Sequence, residues 1–335
     1  METLNIGVIG TGAIGRDHIK RIMTKLQGAK VVAVSDVNEE VAHQVAETYG
    51  AAFIANGEEL IEESLVDAVI VTSLDATHEQ YVSCAIKNGK YVFCEKPLAA
   101  EKEGCKRVVE LEMTGGKQLV QVGFMRRYDK GYRELKEMLD TKTYGEPLML
   151  HCAHRNAAPE GYYDTPMAVE NSGIHEIDVL RWLLGENFVS AQVLFAKKTK
   201  YASEVLRDPQ IMLLETESGI RIDVEIFVNC RYGYDIKCEV CCEDGVLLMS
   251  EPAGTMVRAQ AKKSLPIFTD WKDRFVDAYD TELQEWINAT REGRVDGPSA
   301  WDGYVGSVTA SAASKARDNQ TIEAIEIMET PDFYK

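Results

Sequence analysis

The sequence lacks the features that mark membrane-spanning and nucleic-acid-binding proteins. No apolar run approaches the roughly 18–20 residues that a membrane span requires. The 37 Lys and Arg are outnumbered by 54 Asp and Glu, and the formal net charge of −17 argues against nucleic acid or an anionic membrane surface as a partner. The opening residues, METLNIGVIG, include no basic segment of the kind that begins a signal peptide. We therefore expect a soluble cytoplasmic protein.

The eight cysteines and six histidines show no spacing that is typical of a metal site. Cys238 and Cys241 form a CxxC, but the run YDIKCEVCCEDGVLLM alternates like a strand, in which these side chains face opposite sides. No second CxxC is present to complete a zinc set. His151 and His154 lie in LMLHCAH, which is also typical of a strand. We expect reduced thiols and no bound metal.

A glycine-rich turn near the N-terminus is the clearest motif in the residue spacing. The segment LNIGVIGTGAIGRDHIKRIM places Gly10, Gly12 and Gly15 in G-x-G-x-x-G spacing between an apolar strand and a helix. The first glycine permits a tight turn, the second lets a pyrophosphate approach the backbone, and the third lets the helix pack on the strand. The amides and dipole of the helix N-terminus favour phosphate binding. This context predicts a Rossmann unit.

The end of the next strand indicates the coenzyme. In KVVAVSDVNEE, Asp36 follows the last glycine by about 20 residues, where a carboxylate binds the ribose hydroxyls. The residues after it, Val37, Asn38 and Glu39, include no Arg that would hold a 2′-phosphate. We therefore expect NAD rather than NADP.

Strand and helix patterns alternate through the rest of the first half. We predict strands at 67–73, 90–95 and 118–124, and helices at 76–88 and 101–114. Strand–helix–strand repetition with short connections predicts an α/β fold with a doubly wound parallel sheet. Ligands of such sheets bind at the carboxyl ends of the strands.

Three polar sets fall at these strand ends: Thr72-Ser73 with His78 beyond, Glu95-Lys96-Pro97, and Arg126-Arg127. His78 is compatible with a cofactor contact and equally with a place on the helix surface. Lys96 directly precedes a proline, which favours an extended or turn geometry aimed at the crevice. A solvated loop lysine is the alternative for Lys96.

The pattern changes after the turn TYGEP at 143–147. Strand-like runs now follow one another, at 148–155, 188–197, 209–217, 219–229, 234–242 and 245–250, and helices are predicted at 171–184, 272–292 and 299–317. The segments ESG and EDG are typical of turns between neighbouring strands. We expect a Rossmann NAD-binding domain at 1–123 and, at 124–335, an α+β domain on a mostly antiparallel open-faced sheet for substrate binding and oligomerisation.

One helix in the second half carries an unusual polar face. In MAVENSGIHEIDVLRWLLGE, Asn171, His175 and Asp178 are spaced four and then three residues apart, which places them on one side of a helix. A histidine satisfied within the core is one interpretation, and a wall of an active site is the other.

Several segments, VIGTGAIG, SDVN, CEKPLA, VGFMRRYD and NSGIHEIDVLRWLLGE, together resemble the Gfo/Idh/MocA oxidoreductase family. The resemblance spans nearly the whole chain. Within that family, MRRYDKGY, HRN and YGYDIKCEV are similar to segments of NAD-dependent inositol dehydrogenases. The resemblance implies an NAD-dependent oxidoreductase acting on a CH–OH group of myo-inositol, scyllo-inositol or both, assembled as a homotetramer.

The resemblance also implies roles for individual residues. Lys96 would contact the substrate hydroxyl and the nicotinamide, and His175 would be the catalytic acid/base. The polyol would be surrounded by Arg126, His154, Asn156 and Tyr234. The cofactor would be bound by Gly10, Gly12, Ala13, Ile14, Gly15, Asp36, Val37, Ser73, Leu74, His78, Glu95 and Lys96.

One position departs from the family pattern. Inositol dehydrogenases carry an Asp four residues before the catalytic His, whereas this chain has Asn171 there. A Lys–Asp–His proton relay therefore does not transfer whole. An amide both donates and accepts hydrogen bonds, so Asn171 is expected to orient a hydroxyl while His175 moves the proton.

Oxidation of an alcohol needs a base near neutral pH, and imidazole meets that need with little adjustment.

Two alternatives remain beside inositol oxidation. One is a family relative that oxidises an aldose or another cyclic polyol. The other is a non-catalytic NAD-binding regulator, which would be expected to lack Lys96 or His175. A zinc-dependent polyol dehydrogenase is disfavoured by the cysteine and histidine spacings.

Overall fold

The computed structural model describes residues 3–159, 161–250 and 254–335. The chain divides into two compact units. Unit 1 comprises Met1–Phe124, Tyr279–Ser307 and Met328–Lys335, and unit 2 comprises Met125–Ala278 and Val308–Ile327. The assignment of coenzyme binding to 1–123 and of substrate binding to 124–335 stays a prediction.

Unit 1 is built on a six-stranded parallel sheet. In chain order its elements are β1 Leu4–Ile9, α1 Ala13–Thr24, β2 Ala29–Ser35, α2 Glu39–Tyr49, β3 Ala52–Phe53, α3 Gly57–Glu62, β4 Ala68–Val71, α4 Asp75–Lys87, β5 Tyr91–Glu95, α5 Lys102–Gly115 and β6 Val120–Gly123. The strand order is β3-β2-β1-β4-β5-β6, and every neighbouring pair is parallel. The predicted doubly wound sheet is confirmed.

The sequence explains why this sheet lies inside. All four residues of β4 and all five of β5 are buried, as expected of strands that are covered by helices on both faces. Two of its helices begin at polar caps: at α2 the side chain of Asn38 accepts from the amide of Val41, and at α3 that of Asn56 accepts from the amide of Glu58. The strand order reverses between β1 and β4, and such a switch point is where open α/β sheets bind ligands.

Unit 2 is built on a seven-stranded mixed sheet. Its elements are a 3₁₀ turn at Met125–Tyr128, α6 Lys130–Asp140, β7 Pro147–Arg155, a π-helical turn at Ala168–Gly173, α7 Ile174–Leu184, β8 Phe188–Phe195, β9 Gln210–Thr216, β10 Arg221–Phe227, β11 Asp235–Cys242, β12 Val246–Leu248, β13 Val257–Ala259, β14 Lys262–Ser264, α8 Trp271–Arg274 and β15 Ile322–Ala324. The unit boundaries fall within α9 Val276–Arg291 and α10 Ala300–Asn319, and a 3₁₀ turn at Asp332–Tyr334 ends unit 1.

The large sheet of unit 2 has the order β12-β11-β7-β10-β9-β8-β15. The pair β7–β10 is parallel and the other pairs are antiparallel, so the prediction of a mostly antiparallel sheet is confirmed. Alternating burial along β9 and β11 shows that one face of this sheet is covered and the other is open. The π-helical turn packs on the covered face, where a Cβ on Gly173 would stand 3.1 Å from Cδ1 of Ile226.

Two predicted helices differ from the structure. The helix predicted at 171–184 is α-helical only from Ile174, because the π-helical turn precedes it. The helix predicted at 272–292 is divided at Phe275, which ends α8 with φ −114° and ψ 20°. Among the described residues, no helix combines the length and the apolar character needed to cross a bilayer.

Candidate functional site

The glycine turn of unit 1 has the shape that a pyrophosphate requires. Gly10 has φ +100°, and a Cβ there would meet the backbone of Thr72 at 2.5 Å. A Cβ on Gly15 would lie 2.0 Å from the carbonyl oxygen of Gly10, so helix and strand approach as closely as glycine allows. A Cβ on Gly12 would meet nothing within 4 Å. The turn is therefore closed where the chain packs on itself and open where a phosphate would approach.

The acidic residue after β2 lies beside that turn. One carboxylate oxygen of Asp36, Oδ2, accepts from the Thr11 amide at 2.5 Å and from its hydroxyl at 3.0 Å, and Oδ1 accepts from the Asn38 amide at 2.8 Å. These bonds fix an anionic acceptor at the carboxyl end of β2, as the ribose of NAD requires. Ala13 and Ile14, the first residues of α1, contribute N-terminal amides at the same end, and Val37 is 93% exposed.

The strand ends after β4 and β5 are joined by His78. Its Nδ1 lies 2.6 Å from the carbonyl oxygen of Pro97, and its Nε2 lies 3.2 Å from that of Ser73. The ring is buried, so the interpretation of His78 as a helix-surface residue is wrong. Leu74, the N-cap of α4, is largely exposed beside it. Direct contact of Ser73, Leu74 or His78 with the cofactor stays a prediction.

Lys96 is held through its backbone by its neighbour. Oε2 of Glu95 accepts from the Lys96 amide at 3.3 Å, and Oε1 lies 2.8 Å from Nε2 of His18 on α1. His18 and Glu95 are both buried, and Lys96 is half-buried at the end of β5. The backbone that carries Lys96 is therefore fixed, while the role of its ammonium stays a prediction.

Unit 2 contains a fully buried polar cluster formed by Arg126, His154 and Glu176. Arg126 Nη1 donates to Oε1 of Glu176, and Nδ1 of His154 lies 3.0 Å from Oε2 of Glu176 and 3.1 Å from Nη2 of Arg126. Exposure is 1% for Arg126, 1% for Glu176 and 3% for His154. Burial alone would raise the pKa of Glu176, but Arg126 and His154 outweigh it and hold that pKa below its usual value. Glu176 therefore remains a carboxylate.

Two aromatic side chains border this cluster. Tyr234 meets His154 edge-to-face with ring centroids 5.9 Å apart, and the guanidinium of Arg126 lies 5.6 Å from the ring centroid of Phe275. Burial raises the pKa of Tyr234 to about 12, so its hydroxyl keeps its proton at neutral pH. The structure thus brings together Arg126, His154 and Tyr234, three of the four residues that the family resemblance implies for the polyol.

Two buried polar atoms of the predicted polyol set have no partner within the described part of the chain. They are Nε of Arg126 and Oδ1 of Asn156. The backbone of Asn156 is fixed, because its amide donates to Phe227 and its carbonyl accepts from Cys230, each at 3.0 Å. Buried donors and acceptors without partners are costly, and a ligand hydroxyl is one group that can satisfy both kinds.

The polar helix face divides into two parts. Asp178 is buried and pairs with Arg127, whose Nε lies 2.9 Å from Oδ2. Asn171, in the π-helical turn, and His175, at the start of α7, are both half-buried. His175 is therefore not enclosed in the core, and π-helical turns of this kind occur often at functional sites. The catalytic roles of Asn171 and His175 stay predictions.

Reasoning from the sequence missed Glu176. An acid directly after a histidine in a helix is typical of a solvated face, and its partner Arg126 lies 50 residues away. The sequence contained only one hint of this contact, namely an arginine shortly after β6 and an acid in the segment HEID. The CxxC does lie in a strand, as predicted, with Cys238 buried and Cys241 half-buried. Within the described ranges no group of three or more His, Cys, Asp or Glu could hold a metal ion.

A Rossmann sheet with an open glycine turn and a fixed acid after β2, followed by an α/β unit with a buried polar cluster, defines a two-domain dinucleotide-dependent oxidoreductase. The chain belongs to the Gfo/Idh/MocA oxidoreductase family. Residues 4–124 match its NAD-binding Rossmann-fold model, and residues 136–326 match its C-terminal alpha/beta domain model.

Similar proteins cover the chain from end to end. Relatives named inositol 2-dehydrogenase from Azotobacter vinelandii and Burkholderia cenocepacia are 55% and 53% identical over 334 and 335 residues, with 99% of each chain covered. The crystal structure of myo-inositol dehydrogenase from Lactobacillus casei in complex with NAD(H) and myo-inositol matches with a TM-score of 0.97 at 40% identity, over 99% of this chain and 100% of that one. Apo scyllo-inositol dehydrogenase from the same organism shares the fold, with a TM-score of 0.89 at 23% identity over 97% and 98%.

Proposed function

We propose that this chain is an NAD-dependent inositol 2-dehydrogenase, which oxidises one secondary hydroxyl of myo-inositol, scyllo-inositol or both to the 2-keto inosose. The observation that carries the proposal is near-complete alignment, at 53–55% identity, with relatives that bear this name. The fixed glycine turn and the buried polar cluster supply the two kinds of binding that the reaction needs.

The coenzyme is held by the residues around the glycine turn. Gly12 leaves room for the pyrophosphate, the amides of Ala13 and Ile14 face it from the start of α1, and Asp36 binds the ribose hydroxyls. When bound, NAD+ accepts the hydride from the alcohol carbon. Because Asp36 is an anion with no arginine after it, a 2′-phosphate is disfavoured at this position.

The proton of the reacting hydroxyl goes to His175. A neutral imidazole is a base suited to neutral pH, and half-burial leaves the ring accessible to substrate. Lys96, on a backbone fixed by Glu95, stabilises the negative charge that develops on the alcohol oxygen. Asn171 orients a hydroxyl through its amide, which both donates and accepts.

The remaining hydroxyls of the polyol are read by Arg126, His154, Asn156 and Tyr234. A polyol presents many groups that each donate and accept, so its site needs both functions in fixed positions. Nε of Arg126 is a buried donor and Oδ1 of Asn156 a buried acceptor, and neither has a partner among the described residues. Both atoms belong to the second half of the chain, and each is suited to a hydrogen bond with a substrate hydroxyl.

The open face of the unit 2 sheet supports assembly into a homotetramer. Large apolar side chains are exposed there on four different strands: Met149, Leu194, Leu248 and Ile322. Large apolar side chains exposed on a sheet face are typical of a subunit contact. We place the enzyme in the cytoplasm, where its eight thiols would stay reduced.

The test is NADH formation by the purified protein with a panel of myo-inositol, scyllo-inositol, glucose and xylose, each with NAD+ and with NADP+. Turnover of an inositol with NAD+ at the highest kcat/KM supports the proposal. Preference for an aldose would make the protein a sugar dehydrogenase of the same family. NADH binding without any turnover would make it a coenzyme-binding regulator.

A further inference from the structure

Glu176 lies next to the proposed catalytic base in the sequence, yet its side chain belongs to the buried cluster rather than to solvent. We propose that Glu176 is a positioning residue for polyol recognition, which orients Arg126 as a hydrogen-bond donor and fixes His154 in the tautomer that accepts at Nε2. This inference rests on the proposed function, because it names how that substrate would be read.

The tautomer follows from the donors available to Glu176. Arg126 Nη1 donates to Oε1, and within the described residues the only group that can donate to Oε2 is Nδ1 of His154, at 3.0 Å. A buried carboxylate oxygen without a donor is more costly than one arginine N–H without an acceptor. Nδ1 of His154 therefore carries the hydrogen and donates a hydrogen bond to Glu176. Nη2 of Arg126 lies 3.1 Å from the same Nδ1, but it then does not donate to that atom.

That assignment determines what His154 offers to a ligand. A neutral ring with its hydrogen on Nδ1 keeps a lone pair on Nε2, which can only accept. The described part of the chain provides no hydrogen-bond partner for Nε2. The cluster also offers a ligand the Nε–H of Arg126, which is buried and has no acceptor among the described residues.

Glu176 also keeps this donor and acceptor fixed relative to each other. Its two oxygens bind two side chains that come from distant segments, Arg126 after β6 and His154 on β7. A fixed donor and a fixed acceptor match two hydroxyls of one ring and would reject a ring that lacks either of them. The opposite charges of Arg126 and Glu176 leave this part of the site neutral, which suits an uncharged polyol.

The kinetic test compares Glu176→Gln and Glu176→Asp with a matched control, Asp129→Asn. Asp129 is another buried carboxylate of unit 2, and it pairs with Arg274 through contacts of 2.5 and 3.1 Å. We expect Glu176→Gln to raise the KM for inositol about tenfold or more, the factor for losing a hydrogen bond to a charged group. The KM for NAD+ should change less than about twofold, since coenzyme binding does not use this cluster. Asp129→Asn should leave the inositol KM near its original value.

A purely structural role is distinguished by analogues of inositol that each lack one hydroxyl. The unaltered enzyme should discriminate against two of them by about a hundredfold, because each leaves a buried polar group unpaired. Glu176→Gln should lose most of that discrimination, and Glu176→Asp, which keeps the charge on a shorter side chain, should retain part of it. Unchanged KM and unchanged discrimination in both variants would overturn the inference, provided that the unaltered enzyme oxidises inositol. If it does not, the proposed function fails first.

A second measurement uses the unaltered protein, so it does not depend on whether the Glu176 variants fold. In ¹⁵N spectra of the unaltered protein, the His154 signals, assigned by their loss in His154→Gln, should show a protonated Nδ1 and an unprotonated Nε2. The opposite tautomer would contradict the inference whatever the kinetics. Activity is not required for this readout, so it separates the geometry of the cluster from the identity of the substrate.

Discussion

His18 on α1 and Glu95 at the end of β5 are joined within unit 1 by a contact of 2.8 Å between Nε2 and Oε1. The other oxygen of Glu95 accepts from the amide of Lys96. The His18 ring is itself held edge-on against Phe93 at 5.9 Å. His18 therefore orients the carboxylate that fixes the backbone of the proposed catalytic lysine.

This relationship predicts that His18→Ala lowers kcat by about tenfold to a hundredfold, because a small misplacement of a catalytic group has effects of that size. His18→Gln keeps a donor of similar reach and should recover much of the loss. His43→Ala, at an exposed histidine of the same unit, is the control. The measurement is kcat and KM beside thermal denaturation. Equal kcat in the Ala and Gln variants, at equal stability, would show that the hydrogen bond does not position Lys96.

The Rossmann half could be predicted because its signals are local. The strand at 90–95, the glycine spacing and the acid after β2 each depend on residues close together in the chain. Pairing in unit 2 is not local: β7 pairs with β10 in parallel, in a register that joins Met149 to Arg221. Alternation of apolar and polar residues identifies a strand but not the strand it pairs with. The parallel pair within that sheet therefore could not be predicted from the sequence.

Details of the site depended on packing between distant segments. The break at Phe275 occurs where this buried ring contacts Arg126, Tyr234 and Arg274, contacts that outweigh the helical pattern of 272–292. Glu176 escaped prediction for the same reason, since only the fold brings Arg126 to it. Candidate coenzyme residues could be proposed from local motifs, whereas the side-chain partners of the proposed polyol residues could not.

The choice of coenzyme is tested at Asp36. NAD+ should exceed NADP+ strongly in kcat/KM, because a carboxylate in the role proposed for Asp36 would bind the ribose and repel a 2′-phosphate. Asp36→Ala should narrow the gap mainly by weakening NAD+, and Glu39→Ala, at an exposed acid three residues on, should leave it unchanged. Coenzyme titrations with each protein give the ratio. Comparable use of both coenzymes by the unaltered protein would remove Asp36 from its assigned role.

Lys96 is tested by separating turnover from coenzyme binding. Lys96→Ala should remove most turnover, since the developing negative charge loses its cation, while NADH still binds through the glycine turn and Asp36. Lys102→Ala, at an exposed lysine, is the matched control. The measurements are kcat and NADH fluorescence titration. Near-normal kcat in Lys96→Ala would support the alternative of a solvated loop lysine.

Metal removal should have no effect on the reaction. Cys238 and Cys241 face opposite sides of β11, and the described ranges hold no cluster suited to a metal ion. Dialysis against a strong chelator, followed by metal analysis and assay, checks this expectation. Stoichiometric zinc that is lost together with activity would contradict it.

The last prediction concerns Asn171, which stands where inositol dehydrogenases carry an Asp. A carboxylate near an imidazole favours the protonated ring, and alcohol oxidation requires the unprotonated base. Asn171→Asp should therefore move the acid limb of kcat against pH to higher pH and lower activity on the acid side. Asn319→Asp adds the same charge at an exposed site at the end of α10 and should leave the limb in place.

The same variant should also change the preference between myo- and scyllo-inositol. The amide of Asn171 can donate to a substrate hydroxyl, whereas an ionised carboxylate can only accept, so the two proteins favour different hydroxyl orientations. The measurement is the pH profile of both proteins with each isomer under saturating NAD+. Acid limbs that superimpose would mean that His175 is not the base or that residue 171 does not act on it. A shifted limb with an unchanged isomer preference would keep His175 as the base and remove Asn171 from substrate orientation.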